Sequence, residues 1–228
     1  MLEYLVNTKI NLNKKSLEKL EEFKKLLLFW NKKFNLTAIC DDLGVEIKHF
    51  EDCLKNESYF FNNANVVEVG SGGGFPSIPL MCAREDLKFT LIESVGKKCI
   101  FLKEVIKELN LNAEVINSRA EEIGKDLKYR EKFDIVAARA VASLDTLSEY
   151  CIPLIKKGGL FIAYKGEDKE ELKKAENAIS ILGGQVKKSD YYSLSYGLGE
   201  RSVYIIEKTK NTPPKYPRGN GKERSKPL

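Results

Sequence analysis

The residues best suited to chemistry lie in the run Val66-Val67-Glu68-Val69-Gly70-Ser71-Gly72-Gly73-Gly74-Phe75-Pro76, where a short apolar strand ends in four glycines within five residues. Glycine has no Cβ, so at Gly70 and Gly72 the backbone can turn sharply and approach a bound molecule closely. The helix that follows aims its unpaired N–H groups at the same spot, a combination suited to a nucleotide. A dinucleotide fingerprint needs its third glycine at position 75, where helix packs on strand, and this chain has Phe75 there. A second chemical group is Glu93, 23 residues after Gly70 and at the end of the buried strand Lys88 to Glu93. A carboxylate in that place accepts hydrogen bonds from both ribose hydroxyls of a nucleoside. Arg139 stands among Ala137, Ala138, Ala140 and Val141, and a guanidinium so surrounded is costly to bury without a partner. His49 is the only histidine; that argues against multi-histidine metal sites, and the residue reads as structural. The five cysteines, Cys40, Cys53, Cys82, Cys99 and Cys151, are never closer than 13 residues. They indicate neither a disulfide framework nor a zinc knuckle and read as small buried apolar residues.

These groups need a scaffold, and the pattern of elements supplies one. Leu20, Phe23, Leu27, Trp30 and Phe34 recur at spacings of three and four, which predicts an amphipathic helix over 14–34. Its other face carries Lys14, Lys15, Lys19, Lys24, Lys25, Lys32 and Lys33. With a second helix near 43–56 it forms an N-terminal helical cap, residues 1–62. From residue 65 strands and helices alternate: strands at 66–69, 89–93, 114–117, 133–138 and 160–164, helices from Pro76 and over 95–110, 144–155 and 168–182. A hairpin of strands near 185–192 and 202–208 closes the series. The expected fold is α/β, a mostly parallel sheet with helices on both faces and one antiparallel strand, forming the core over 63–208. Ligands in such sheets bind outside the carboxyl ends of the strands, where strand order reverses. That rule collects Gly70 to Phe75, Glu93, Ser118 to Glu121, and Arg139.

Length and composition suit one domain: 228 residues, 43% hydrophobic. No stretch approaches the roughly 18 apolar residues of a membrane span. Met1-Leu2-Glu3-Tyr4-Leu5 lacks the features of a signal peptide, so a cytoplasmic location is expected. Nothing in the sequence demands more than a monomer. The net charge of +5 is local, because residues 208–228 hold seven lysines and arginines against one acid, Glu223. Residues 209–228 read as a basic arm in which Lys215 and Arg218 alternate with Pro213, Pro214, Tyr216 and Pro217. An extended arm of this kind suits structured RNA.

The spacing Glu68-x-Gly70-x-Gly72-x-Gly74 followed by a bulky residue resembles the first motif of the Rossmann-like class I methyltransferases that use S-adenosylmethionine (SAM). Further segments widen the resemblance: Trp30-Asn31-Lys32-Lys33-Phe34-Asn35-Leu36-Thr37, His49-Phe50-Glu51-Asp52, Gly70 to Pro79, Arg119-Ala120-Glu121, Arg139-Ala140-Val141-Ala142, Lys165-Gly166, Gly199-Glu200-Arg201 and Lys215-Tyr216-Pro217-Arg218. Together they are similar to the RsmG family, also called glucose-inhibited division protein B, over nearly the whole chain. The resemblance implies a bacterial SAM-dependent methyltransferase acting on N7 of a guanine in 16S ribosomal RNA. Carried over, the family's cofactor contacts fall on Gly70, Phe75, Ala120, Glu121 and Arg139. Phe75 would wall the pocket, Ala120 and Glu121 read the adenine edge, and Arg139 pair with the methionine carboxylate. The cofactor set is completed by Gly72 and Glu93; many members have aspartate where this chain has Glu93. Gly219-Asn220-Gly221 also departs from the family's usual tail. Lys165, Arg201, Lys215 and Arg218 are the expected contacts to 16S RNA or the small ribosomal subunit, with no metal. Guanine N7 carries an in-plane lone pair and no hydrogen, so no general base is required, and alignment supplies most of the catalysis. Two other classes compete. A nicotinamide oxidoreductase is opposed by Phe75, whereas a non-catalytic, SAM-sensing RNA-binding or ribosome-assembly protein shares every motif.

Overall fold

The computed structural model describes residues 2–168 and 170–228. Seven strands form one sheet: β1 Asn65–Val69, β2 Lys88–Glu93, β3 Ala113–Asn117, β4 Phe133–Arg139, β5 Ile155–Lys165, β6 Gly184–Ser193 and β7 Glu200–Lys208. Their order is β3-β2-β1-β4-β5-β7-β6. The first five are parallel, and β7 runs antiparallel to both β5 and β6 between which it lies. The apolar runs of β1 and β4 are buried on both sides, as a parallel sheet covered by helices requires. Successive residues face opposite layers. Val66 and Ile135 join the layer of Leu20, Phe23 and Phe101, while Val67 and Val136 join that of Leu147 and Ile179. Strand order reverses between β1 and β4, so the carboxyl ends of these two strands frame the crevice.

Nine α-helical segments accompany the sheet among the described residues: α1 Lys14–Phe34, α2 Asp42–Gly44, α3 Asp52–Leu54, α4 Ser77–Ala83, α5 Gly96–Glu108, α6 Ala120–Ile123, α7 Leu144–Cys151, α8 Glu170–Ile181 and α9 Lys222–Ser225. The Asn13 side chain caps α1 by accepting from Ser16 N, and Asn35 ends it in the left-handed conformation. Between α2 and α3 the chain winds as a π-helix, Val45–Glu51, so 42–54 is one helical stretch close to the expected second helix. Of the expected helix over 168–182, Lys169 lies outside the described residues.

Three differences from the sequence reading have physical causes. Strand β5 begins at Ile155 rather than Leu160, because Ile155 pairs with Phe133 and the register then shifts to Leu160 opposite Ile135. The intervening Lys156-Lys157-Gly158-Gly159 carries no apolar alternation to reveal a strand. Secondly, the lysine face of α1 is not uniformly solvated: Lys24 is buried, its Nζ 2.8 Å from Glu46 and 2.9 Å from Asp42. Four cysteines are buried as expected, but Cys40 is exposed.

The cap is tied to the core through buried carboxylates. Glu46 accepts from the backbone N–H groups of Tyr4 and Leu5, and Glu51 from Ser195 N and Oγ beside the β6–β7 turn. Residues 209–228 do not extend from the molecule; they fold back across α7. Arg130 donates to the carbonyls of Gly124, Thr212, Pro213 and Tyr216, and the Tyr216 ring is buried in the core. Arg218 grips Glu149 with Nε and Nη2. Glu223 is fully buried; it accepts from Gly219 N, while its carbonyl accepts from Thr146 Oγ1. Arginine forks that match carbonyls and carboxylates inside the chain have their hydrogen-bonding capacity filled there, which is why this basic tail packs instead of extending.

Candidate active site

At the reversal point three adjoining cavities line the carboxyl ends of the strands. The central cleft, about 420 Å³, is bounded by Gly70, Gly72, Phe75, Glu93 and Arg139 together with Leu36 and Thr37 of the cap. On one side it meets a pocket of about 60 Å³ that includes Ala120, Glu121 and Tyr150. On the other it meets a pocket of about 320 Å³ holding Lys48, Asp52, Lys165 and Arg201.

The glycine loop shapes the central cleft. Gly70 has φ +72°, and a Cβ there would stand 2.6 Å from Val141 Cγ2, so only glycine lets β1 turn beside the end of β4. Gly74, at φ +86°, is equally confined, with Ile78 Cγ1 2.5 Å from the position of a Cβ. Glu93 closes the far side of the loop, its two oxygens accepting from Gly72 N at 2.8 Å and Val95 N at 2.7 Å. Each oxygen keeps a further lone pair for a ligand hydroxyl. Beneath the loop Glu68 is fully buried and accepts from Ser77 Oγ; burial pushes its carboxyl up to about 8, against the pull of the Ser77 and Ser71 hydroxyls.

His49 and Arg139 border both the central cleft and the larger pocket, and Phe75 packs against them from the cleft side. The Phe75 ring stacks on His49 with centroids 4.2 Å apart and meets Phe23 at 5.5 Å. The Arg139 guanidinium lies over the same ring at 5.2 Å. Its Nη1 donates to Asp52 Oδ2 at 2.5 Å and to the Lys48 carbonyl at 2.9 Å, and its Nη2 to His49 Nδ1 at 2.5 Å. Because arginine is always protonated, Nδ1 of His49 is the acceptor, and Nε2–H donates to Thr37 Oγ1 at 2.8 Å. Burial, then the Arg139 charge, lowers the imidazole to about 3, so His49 is neutral at any ordinary pH. Asp52 Oδ1 accepts from the Tyr192 hydroxyl at 2.8 Å. The partner that burial of Arg139 demanded thus comes from the cap, and the cap is a wall of the site.

The site residues expected from sequence fall into three groups. Gly70, Gly72, Phe75, Glu93 and Arg139 converge on the central cleft, and Ala120 and Glu121 line the small pocket beside it. Arg201 lines the large pocket, with Nε 3.8 Å from Asp52 and Nη1 donating to the Glu200 carbonyl. Lys165 also borders that pocket, but its Nζ donates to the Ala142 carbonyl at 2.6 Å and to Glu171 at 2.7 Å. Lys215 and Arg218 border none of the three cavities; Lys215 lies over the Tyr216 ring, and Arg218 is held by Glu149. Sequence reasoning missed Arg224, which borders both the small pocket and the cleft. Nothing in a run of alternating charges distinguishes it. Asp52 had a usable signal: it stands three residues after His49, on one face of a helix. Among the described residues no helix is long and apolar enough to cross a membrane, and no group of three or more His, Cys, Asp or Glu is placed to hold a metal.

The model of a family described as rRNA small subunit methyltransferase G matches residues 16–196. The chain is 45% identical over 230 residues to "Ribosomal RNA small subunit methyltransferase G" of Brevibacillus brevis, covering 99% of this chain and 97% of that protein. It is 44% identical over 232 residues to the protein of the same description from Staphylococcus aureus strain JH9, covering 100% and 97%. Among solved structures, M. jannaschii TYW2 in complex with AdoMet aligns with a TM-score of 0.52 at 18% identity, covering 70% of this chain and 74% of that one, a likeness of fold.

Proposed function

The chain belongs to the rRNA small subunit methyltransferase G family, and from that premise we propose that it transfers a methyl group from SAM to N7 of a guanine in 16S ribosomal RNA. The observation that carries the proposal is that two cavities meet at the strand ends: the central cleft of about 420 Å³ and a pocket of about 320 Å³ bordered by Lys48, Asp52 and Arg201 share His49, Arg139 and Ala140 in their lining.

The residues fit SAM. At Gly70, where a Cβ would strike Val141, the loop admits a ligand against bare backbone. Glu93 receives the ribose hydroxyls, and Ala120 and Glu121 border the adenine. Arg139, held by Asp52 and His49 with Nε–H and one Nη2–H left over, meets the carboxylate of the amino-acid end. When bound, SAM supplies a methyl made electrophilic by its sulfonium. The chain's own task is alignment: Phe75, fixed between His49 and Phe23, sets the wall along which base and cofactor meet. Neutral His49 takes no proton, in keeping with a nucleophile that has none to give. Arg201 and Lys215 contact RNA phosphate, while Lys165 and Arg218, whose cationic heads are taken up by Glu171 and Glu149, hold the frame of the site. In this reading residues 63–208 carry the cofactor, residues 1–62 wall the base pocket, and the protein acts as a cytoplasmic monomer on 16S RNA within the small subunit or its precursors.

The test is incubation with methyl-labelled SAM and small subunits from a strain lacking the orthologue, followed by nuclease mapping and mass spectrometry. Label at guanine N7 is expected. SAM binding without label in any RNA, naked or assembled, refutes catalysis and leaves the SAM-sensing reading. Arg201→Ala lowers methylation at unchanged SAM affinity; loss of SAM binding instead removes Arg201 from the RNA side.

A further inference from the structure

We propose that the C-terminal segment is part of the cofactor site, with the Arg224 guanidinium closing the nucleoside end of the cleft by packing against the adenine and ribose. This rests on the reading of the cleft as the SAM site. Four residues border both the small pocket and the central cleft: Gly70, Ser94, Val141 and Arg224. The first three lie at or just after the ends of β1, β2 and β4, where this fold holds a nucleoside. The fourth arrives from the tail, 83 residues beyond Val141 in sequence.

Its position is built. Arg218 on Glu149, Glu223 buried against Thr146, and the Tyr216 ring in the core fix α9 over α7. From there Arg224 Nη2 reaches the Val141 carbonyl at 3.5 Å, and the guanidinium faces the Tyr150 hydroxyl, a group made harder to ionise by burial and easier by that charge. The residue is otherwise exposed, so its plane is open to a ligand. A guanidinium stacks on the face of an aromatic base, a contact tolerant of small shifts because it needs no donor and acceptor match. An RNA phosphate is the competing occupant. The cleft favours the nucleoside because Arg224 shares its lining with the residues around Ala120 and Glu121, whereas the pocket of Lys48 and Arg201 lies on the other side of Arg139.

The experiment titrates the full-length protein, without RNA, with SAM and with 5′-methylthioadenosine, a probe lacking the amino-acid end. Arg224→Ala raises the dissociation constant of both ligands by about 10-fold, the scale of one base-stacking contact. Lys226→Ala, a neighbouring tail cation that borders none of the three cavities, changes neither. Unchanged affinity of Arg224→Ala for both ligands overturns the inference, and if a separate titration with 16S RNA then shows weakened RNA binding by the same variant, the side chain belongs to phosphate. Wild-type protein that binds neither ligand refutes the cofactor reading itself, a failure visible before any variant is compared.

Discussion

Replacing Asp52 by asparagine probes the group that joins cap to core. Its carboxylate is 3% exposed, accepts from Arg139 Nη1 at 2.5 Å and Tyr192 OH at 2.8 Å, and faces a guanidinium whose side chain is 14% exposed. Removing one partner of a buried ion pair costs about 3–5 kcal/mol, because the remaining charge has lost the group that offset its desolvation. Asparagine keeps the shape and one acceptor, which puts the expected loss near the lower end, about 3 kcal/mol. For a chain of this size about 1 kcal/mol moves Tm by roughly 2–4 °C, so Asp52→Asn should lower Tm by about 6–12 °C in calorimetry at pH 7.5. In a double-mutant cycle with Arg139→Gln, the second change should cost less in the Asp52→Asn background than in the wild type, with a coupling above about 1 kcal/mol. Additive losses, or a Tm within 2 °C of wild type, would refute the argument that this pair fastens the cap.

Other consequences follow from the same groups. His49 titrates near 3 in the fold against 6.5 unfolded, so between those values the unfolded chain binds the extra proton and stability falls as pH drops; at pH 5 the loss is about 2 kcal/mol relative to pH 7.5. Denaturant titrations should find that loss reduced by this amount in His49→Gln, and an equal pH dependence in both proteins would contradict it. Glu68 has the opposite sign: at about 8 in the fold against 4.5 unfolded, the native state holds the extra proton, and stability declines as pH rises through that window. Glu68→Gln should therefore gain on the wild type between pH 4.5 and pH 8.5, by at most about 5 kcal/mol, and a constant difference would show that the carboxyl is ionised throughout. Glu149→Ala releases Arg218, so trypsin should cut after Lys215 and Arg218 faster than in the wild type, with cleavage elsewhere unchanged; equal rates would mean that the tail is held without this pair.

The core of the fold was legible because its signals are local. Buried parallel strands read as apolar runs, the glycine loop marks the turn after β1, and the position of a carboxylate after β2 follows from the same βαβ unit. Apart from the start of β5 and the exposed Cys40, the differences concern charge. Lys24 looks like a member of a solvated face, and only the fold shows that Glu46, 22 residues later, comes within 2.8 Å of it. Arg218 looks like an RNA contact, yet the carboxylate that holds it, Glu149, lies 69 residues away in the chain. Composition counts cations but carries no record of which carboxylate or carbonyl will fill them, and that pairing decides whether a basic segment extends or packs.

The cap illustrates how such pairings make a site. Its helical stretch 42–54 buries Glu46, Glu51 and Asp52, and each acid ties a different region: the N-terminus and α1, the β6–β7 turn, and the end of β4. Buried carboxylates are expensive unless each is satisfied, so the arrangement has little tolerance for sliding of the cap against the sheet. The same rigidity holds Phe75 between His49 and Phe23 and keeps three donors of Arg139 occupied on Lys48, Asp52 and His49. A reaction that depends on placing a lone pair in line with a methyl group needs a wall that does not move. In this protein the N-terminal segment backs that wall through His49 and Phe23, and charges that look peripheral in the sequence fix the segment to the strand ends.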